Sequence, residues 1–243
     1  MAGNVFNRIE KKYLLTRPAY EALREALIPH MEEDEYGLHT ICNIYYDTPD
    51  ALLVRRSIEK PLYKEKLRLR SYGTPRMDSK VFLEIKKKYD KVVNKRRISL
   101  SLREAYDYLE RGIRPEKDSQ ILRELDFFLE RYELQKGLYL AYDRIALSGR
   151  EDHEFRLTFD RNIRSRREDM GLEKGDRGAP LLPPDYYLME SKVMGATPLW
   201  FSHILAGLRI YPASFSKYGN FHKQRLAPFS TRDMVERTAF IQA

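Results

Sequence analysis

Charged and apolar residues alternate at every second position in several short segments of the chain. Lys64, Lys66, Arg68 and Arg70 are separated by Glu65, Leu67 and Leu69. Successive side chains of a strand point to opposite faces, so this spacing predicts a β-strand over 64–72 with four cations on one side and two leucines on the other. The pattern recurs over 81–89, where Phe82, Glu84, Lys86 and Lys88 oppose Val81, Leu83 and Ile85. In 154–160, Glu154, Arg156, Thr158 and Asp160 alternate with Phe155, Leu157 and Phe159; in 186–193, Leu188, Glu190 and Lys192 alternate with Tyr187, Met189, Ser191 and Val193. Further strands are predicted over 4–15, with Arg8, Glu10 and Lys12 on one side, and over 40–46, 95–100 and 138–147.

Elsewhere the apolar period is helical. Thr16 caps a helix with Pro18 in its first turn and Leu23, Ala26 and Leu27 along one flank, stopping at Pro29. Helices are also predicted over 101–111, over 119–135 with Leu122, Leu125, Phe128 and Leu129 aligned, and from Thr197-Pro198 to about Leu208. The stretch 161–185, rich in Arg, Glu, Asp, Gly and Pro, reads as a mobile loop between two strands. Antiparallel strands with helices in the connections define an α+β class, read as one domain over 1–243.

Charge changes this picture. If the apolar faces lie beneath helices, the charged faces form either the wet outside of a sheet or the lining of a closed barrel. Two cations about 6 Å apart at an effective dielectric near 20 repel by about 3 kcal/mol, so a lumen holding several of them favours a polyanion inside. The formal charge of +8 over 243 residues likewise implies an acidic partner: nucleotide, polyphosphate, nucleic acid or a membrane surface. Cys42, the one cysteine, lies between Ile41 and Ile44 and reads as a packing residue, excluding an intramolecular disulfide. The five histidines are scattered, and neither a phosphate-binding Gly-rich loop ending in Lys-Ser or Lys-Thr nor a nucleophile elbow is present. No RNA-binding motif accompanies the positive charge, so nucleic acid is not the expected partner. With no apolar run near the roughly 20 residues needed to span a bilayer and no signal-peptide pattern, the expectation is a cytoplasmic protein without a membrane segment of its own.

Eight short strings, in order, carry a family resemblance: Arg8-Ile-Glu-Lys-Lys-Tyr, Ile44-Tyr-Tyr-Asp-Thr, Lys66-Leu-Arg-Leu-Arg with Tyr72-Gly73, and Phe82-Leu-Glu-Ile-Lys, followed by Tyr142-Asp-Arg144, Phe155-Arg-Leu-Thr-Phe-Asp160, Met189-Glu-Ser-Lys192 and Phe215-Ser-Lys-Tyr218. Over Arg8 to Lys223 the chain resembles the VTC-type polyphosphate polymerase domain, a branch of the triphosphate tunnel metalloenzymes related to CYTH domains. The resemblance implies an eight-stranded antiparallel β-barrel forming a tunnel, with helices packed around it. It also implies an activity: transfer of the γ-phosphate of ATP to inorganic polyphosphate, with Mn²⁺ or Mg²⁺. Eukaryotic relatives of this kind imply a membrane-protein partner.

By matching motif positions, the resemblance carries phosphate-handling roles to Arg68, Arg70, Lys86, Arg144 and Arg156. Lys12, Lys66, Lys192 and Lys217 are substrate-binding candidates. Glu190 is the leading metal ligand, and Glu10 and Glu84 are further candidates. Each acid also admits a plainer role, as a structural Glu190–Lys192 pair or as Glu10 and Glu84 holding neighbouring lysines. The family often has a second lysine three residues before the last one; here Ser214 stands there, and Lys223 is the nearest replacement. Lys88, Lys91, Lys95, Arg96 and Arg97 read as surface charge, with Arg96 or Arg97 as alternatives at a tunnel entrance.

Two other readings share the same residues. A metal-dependent triphosphatase needs the same anion cradle with water as acceptor, and a non-catalytic module would bind polyphosphate without turnover.

Overall fold

The alternating segments pair edge to edge in the computed structural model, which describes residues 8–226 except 60 and 91. The strands are β1 (Arg8–Thr16), β2 (Met31–Glu33), β3 (His39–Asp47), β4 (Tyr63–Tyr72), β5 (Lys80–Tyr89), β6 (Val92–Ser101), β7 (Gln135–Gly149), β8 (Arg156–Arg166), β9 (Ala179–Pro180) and β10 (Tyr186–Met194). They form one antiparallel sheet in the order β1-β10-β8-β7-β3-β4-β5-β6, with β2 beside β7 and β9 beside β8. Among the described residues the α-helices are α1 (Arg17–Leu27), α2 (Leu52–Ile58), α3 (Leu102–Arg111), α4 (Gln120–Arg131), α5 (Leu199–Gly207) and α6 (Lys217–Leu226).

Directly opposed residues of an antiparallel pair share a face, so the register assembles the charged positions. Lys12 lies opposite Glu190 and Glu190 opposite Thr158. Arg144 lies opposite Asp160, and Tyr45, Arg68, Glu84 and Arg97 follow one another across four strands. The sheet curls around this face. Side chains reach across intervening strands: the Arg144 guanidinium on β7 lies 3.7 Å from Glu190 on β10, and the Arg70 guanidinium on β4 reaches across β3 to the Tyr142 hydroxyl on β7 at 3.0 Å.

The opposite face is apolar and covered. Leu67, Leu69, Leu83 and Ile85 pack beneath α3 and α4 against Leu102, Leu122, Leu125 and Phe128. Tyr13, Leu157, Phe159 and Met189 pack beneath α1 and α5 against Leu23, Leu27, Phe201 and Leu205. Local signals set the helix starts: Thr16 accepts from the Ala19 amide, Ser101 and Glu104 form a reciprocal capping box, and Ser119 accepts from the Leu122 amide. A third core fills part of the concave side itself, where Val54 of α2 and Tyr218 of α6 meet Ile41, Tyr45, Leu138, Leu140 and Leu188.

The eight expected strands form the main path of the sheet, but its ends are not joined. Among the described residues β1 and β6 are not hydrogen-bonded to each other, so the sheet is a curled trough and not a barrel closed by main-chain pairing. β6 carries Asn94, Lys95, Arg96 and Arg97, the charged composition of an edge strand that resists pairing.

Other expectations shift in detail. The predicted loop at 161–185 is largely structured: β8 continues to Arg166, a 3₁₀ turn spans Leu172–Lys174, and β9 pairs back on β8. Two of its arginines are tied down, Arg164 on Asp143 and Asp176 and Arg166 on the Asp169, Gly171 and Arg177 carbonyls. α4 stops at Arg131, and β7 begins at Gln135. α2, α6 and β2 were not predicted. The start of the first predicted strand, 4–7, lies outside the described residues. No helix among the described residues is long and apolar enough to cross a membrane.

Candidate functional site

The concave face carries two carboxylate nodes in a field of cations. The first is Glu84 on β5, 1% exposed. It accepts from Arg68 Nε at 2.6 Å and pairs with Lys95 Nζ at 2.6 Å, while Arg70 Nε lies 4.0 Å away. Burial would raise the Glu84 carboxyl, but Arg68, Arg70 and Lys95 outweigh it and bring its pKa to about 2. Arg70 is itself fixed by Asn43 Oδ1 at 2.9 Å and by the Tyr142 hydroxyl.

The second node joins Asp160 on β8 to Glu190 on β10. Arg144 donates to both Asp160 oxygens at 2.6 and 2.8 Å. Lys217 Nζ, at the start of α6, lies 2.6 Å from Asp160 and 3.3 Å from Glu190. Glu190 also faces Lys12 at 3.3 Å, Arg144 at 3.7 Å and Lys192 at 3.9 Å. Burial opposes ionisation of both acids, yet the surrounding cations, Lys217 foremost at Glu190 and Arg144 at Asp160, hold their carboxyls below the ordinary range. The Tyr142 ring links the two nodes, with Arg144 5.1 Å and Lys217 4.6 Å from its centroid.

Cations outnumber carboxylates on this face, and two lysines register the excess. Burial, together with the charges of Lys12, Lys64 and Lys86, lowers Lys66 to about 8. Lys192 also falls to about 8, through burial first and repulsion from Arg144, with Glu190 and Glu10 opposing. Tyr45 is a third responder: burial would raise its phenol, but Arg68, Lys66 and Arg70 bring it to about 8.

Of the residues singled out by sequence, Lys12, Arg144, Glu190, Lys192 and Lys217 gather at the second node and Arg68, Arg70 and Glu84 at the first. Lys66 lies on the same face, opposite Lys86. Lys86, Arg156 and Glu10 are exposed. Arg156 sits opposite Lys192 with Nε 3.4 Å from the His153 carbonyl, and Glu10 lies 3.8 Å from Lys12.

Sequence reasoning left out Asp160, Asn43, Tyr45 and Tyr142 as site residues; Lys95, read as surface charge, is exposed and also reaches Glu84. Asp160 and Lys95 sit on the charged side of alternating strands, so the period alone could have found them. The neighbouring basic residues divide: Arg97 stacks on Phe82 at 4.5 Å, whereas Arg96 turns away to Glu124 at 3.6 Å. Lys91 lies outside the described residues.

The family model described as the VTC domain matches residues 7–224. Vacuolar transporter chaperone complex subunit 4 of Trypanosoma brucei brucei is 25% identical over 81% of this chain, which spans only 31% of that relative. Two solved structures share the fold. A "putative adenylate cyclase" from Bacillus halodurans has a TM-score of 0.53 at 19% identity, over 86% of this chain and 93% of that one. A "putative adenylyl cyclase" from Hippeastrum, described as revealing a dominant triphosphatase activity, has a TM-score of 0.51 at 17% identity, over 89% of this chain and 95% of that one.

Proposed function

Because the chain belongs to the VTC domain family, we propose that it is a polyphosphate polymerase, one tunnel domain that transfers the γ-phosphoryl group of ATP to inorganic polyphosphate held in the trough. The observation that carries this reading is the convergence of Lys12, Lys66, Arg68, Arg70, Arg144, Lys192 and Lys217 on one concave face with too few carboxylates to offset them. A chain of phosphates supplies the missing charge.

Transfer between phosphates needs alignment and charge compensation and no covalent protein intermediate. A terminal oxygen of the polyphosphate attacks the γ-phosphorus, the bond to the β,γ-bridging oxygen breaks, and ADP leaves. Arg68, Arg70 and Arg144 offer planar guanidinium forks whose orientation is already set by Glu84, Asn43 and Asp160. Lys12, Lys66, Lys192 and Lys217 offer compact charges along the chain, and the exposed Lys86 and Arg156 extend the path.

A divalent ion fits only in company with the phosphates. Among the described residues no three acidic, histidine or cysteine side chains group as a metal site, and Glu84 is engaged by Arg68 and Lys95. Mg²⁺ and Mn²⁺ suit oxygen donors, and Mg²⁺ is commonly held by one or two carboxylates plus substrate phosphates. Glu190, with Glu10 beside Lys12, could supply that share. The ion would offset phosphate charge. The Trypanosoma relative is by name a subunit of a complex, which supports a working partner for this chain as well, a membrane protein on the present reading.

Incubation with ATP and Mn²⁺ should yield long-chain polyphosphate together with ADP. Free phosphate without polymer would mark a triphosphatase instead, and tight polyphosphate binding without turnover a binding module.

A second outcome follows from the lysines. Bound phosphates favour the charged ammonium, so Lys66 and Lys192, each near 8 in the empty trough, should gain protons when inorganic triphosphate binds. Calorimetry at about pH 8.5 in buffers of different ionisation enthalpy should show more proton uptake by the wild type than by Lys66→Arg and Lys192→Arg, whose guanidinium groups stay charged throughout. Equal uptake would mean that neither lysine meets the ligand.

A further inference from the structure

Asp47 ends β3 with its side chain 1% exposed, yet it joins neither carboxylate node. Its Oδ1 accepts from the Thr48 and Leu53 amides at 2.9 and 2.8 Å, and its Oδ2 from the Val54 amide at 3.0 Å. The Leu53 and Val54 contacts cap the start of α2, where these two main-chain N–H groups would otherwise lack partners, and the Leu52 amide donates to Thr48 Oγ1 at 2.8 Å. The remaining contact is long-range: the Tyr218 hydroxyl donates to Oδ2 at 2.8 Å across 171 residues of sequence.

Tyr218 follows Lys217 at the start of α6. Adjacent helical residues leave the axis about 100° apart, so the two side chains diverge: Lys217 runs to Asp160 and Glu190, and Tyr218 runs to Asp47. The Tyr218 ring lies on that of Tyr45, with centroids 4.9 Å apart and planes 25° from parallel. β7 leaves room for this contact. A Cβ at Gly137 would stand 2.8 Å from the Tyr218 hydroxyl oxygen and 3.2 Å from Asp47 Cβ, and the β3–β7 register slips between Tyr45 and Tyr46 beside it. The segment before α6 is also fastened, with Ala213 N donating to the Lys12 carbonyl at 2.7 Å and Lys12 Nζ to the Phe215 carbonyl at 3.1 Å.

We propose that Asp47, acting through Tyr218, positions Lys217 for the phosphate chain, although neither Asp47 nor Tyr218 touches the reacting atoms. The inference rests on the reading of Lys217 as a phosphate-binding group. A lysine on a four-carbon stem can follow whichever anion attracts it, so carboxylates alone do not fix where its charge stands. When phosphates enter, they compete with Asp160 and Glu190 for the same ammonium. The buried phenol–carboxylate bond and the stacked ring hold the first turn of α6 still and so limit how far that ammonium can move.

The test compares wild type, Tyr218→Phe, Lys217→Ala and the double variant, each checked for folding by thermal unfolding. In lysine footprinting with acetic anhydride, Lys217 should react slowly in the wild type, where it is buried against Asp160 and Glu190. Loss of one buried hydrogen bond should let it react about five-fold faster in Tyr218→Phe, with Lys66 and Lys192 unchanged. Triphosphate affinity and ATP turnover should both fall in Tyr218→Phe but show no further loss when that change is added to Lys217→Ala, as expected of two residues acting as one unit. Gly137→Ala, which displaces the phenol from the other side, should reproduce the footprint. An unchanged Lys217 rate in Tyr218→Phe, or losses that simply add in the double variant, would overturn the proposal. A wild type that makes no polyphosphate would sink the polymerase reading alone, since the footprint decides the positioning role without turnover.

Discussion

Arg68→Ala should lower polyphosphate synthesis by a factor of about 10²–10³, the usual cost of deleting one preorganised donor from a site of developing charge, while leaving the protein folded. The fold survives because Glu84, the carboxylate that Arg68 orients, keeps Lys95 at 2.6 Å and Arg70 at 4.0 Å. The acid is therefore not abandoned in the interior, and the stability loss should stay near 1–2 kcal/mol, far from the 3–5 kcal/mol of a buried charge left alone. Arg68→Lys should recover only part of the rate, because an ammonium restores the charge but not the planar fork. Rates of ADP release and polymer growth, measured beside thermal unfolding, decide the matter. A folded variant with near-normal synthesis would remove Arg68 from the site, and a collapse in Tm would make its role structural.

β4, β5, β8 and β10 were legible because they alternate charged or polar with apolar residues: Leu67 and Leu69 could not share a face with Arg68 and Arg70, so the period of two fixed which side is buried. The same period placed Glu84, Glu190, Lys66 and Lys192 on one surface. What it could not supply was the choice of partner. Arg70 was visible as a cation, but its fixation by Asn43 and Tyr142 depends on β3 lying between β4 and β7, a non-local fact with no local signal. α2 and α6 were hidden for a related reason. Val54 of α2 and Tyr218 of α6 pack inside the trough with Ile41, Tyr45 and Leu188, and α2 is capped by Asp47 from the end of β3, not by a side chain at its own first position. The 161–185 stretch misled through composition: its arginines and aspartates look solvated, yet Arg164 and Arg166 spend their donors on carbonyls and acids of neighbouring strands and turns. Resemblance contributed the phosphate roles, which neither period nor charge could assign.

Asp160→Asn should have the largest effect on stability. Asp160 is fully buried and answers two cations, Arg144 through both carboxylate oxygens and Lys217 at 2.6 Å. An amide keeps the shape but loses the charge and one acceptor. Glu190, at 3.7 Å from Arg144 and 3.3 Å from Lys217, compensates in part, so a loss of about 3 kcal/mol is expected, at the lower end for breaking a buried ion pair. Two readouts separate this from ordinary core damage. The Asp160 carboxyl is depressed in the folded protein, so the stability it contributes is present above its unfolded pKa of about 4 and disappears as pH falls below that value toward the folded one. The variant should therefore lose less stability than the wild type on acidification below about pH 4. The second readout is rescue: inorganic triphosphate binds the folded state and brings the negative charge that the variant lacks, so it should raise Tm more in Asp160→Asn than in the wild type. An equal or smaller ligand shift in the variant would mean that the anion does not reach Arg144 and Lys217, and the phosphate path would then have to run along the Arg68–Glu84 side of the trough alone.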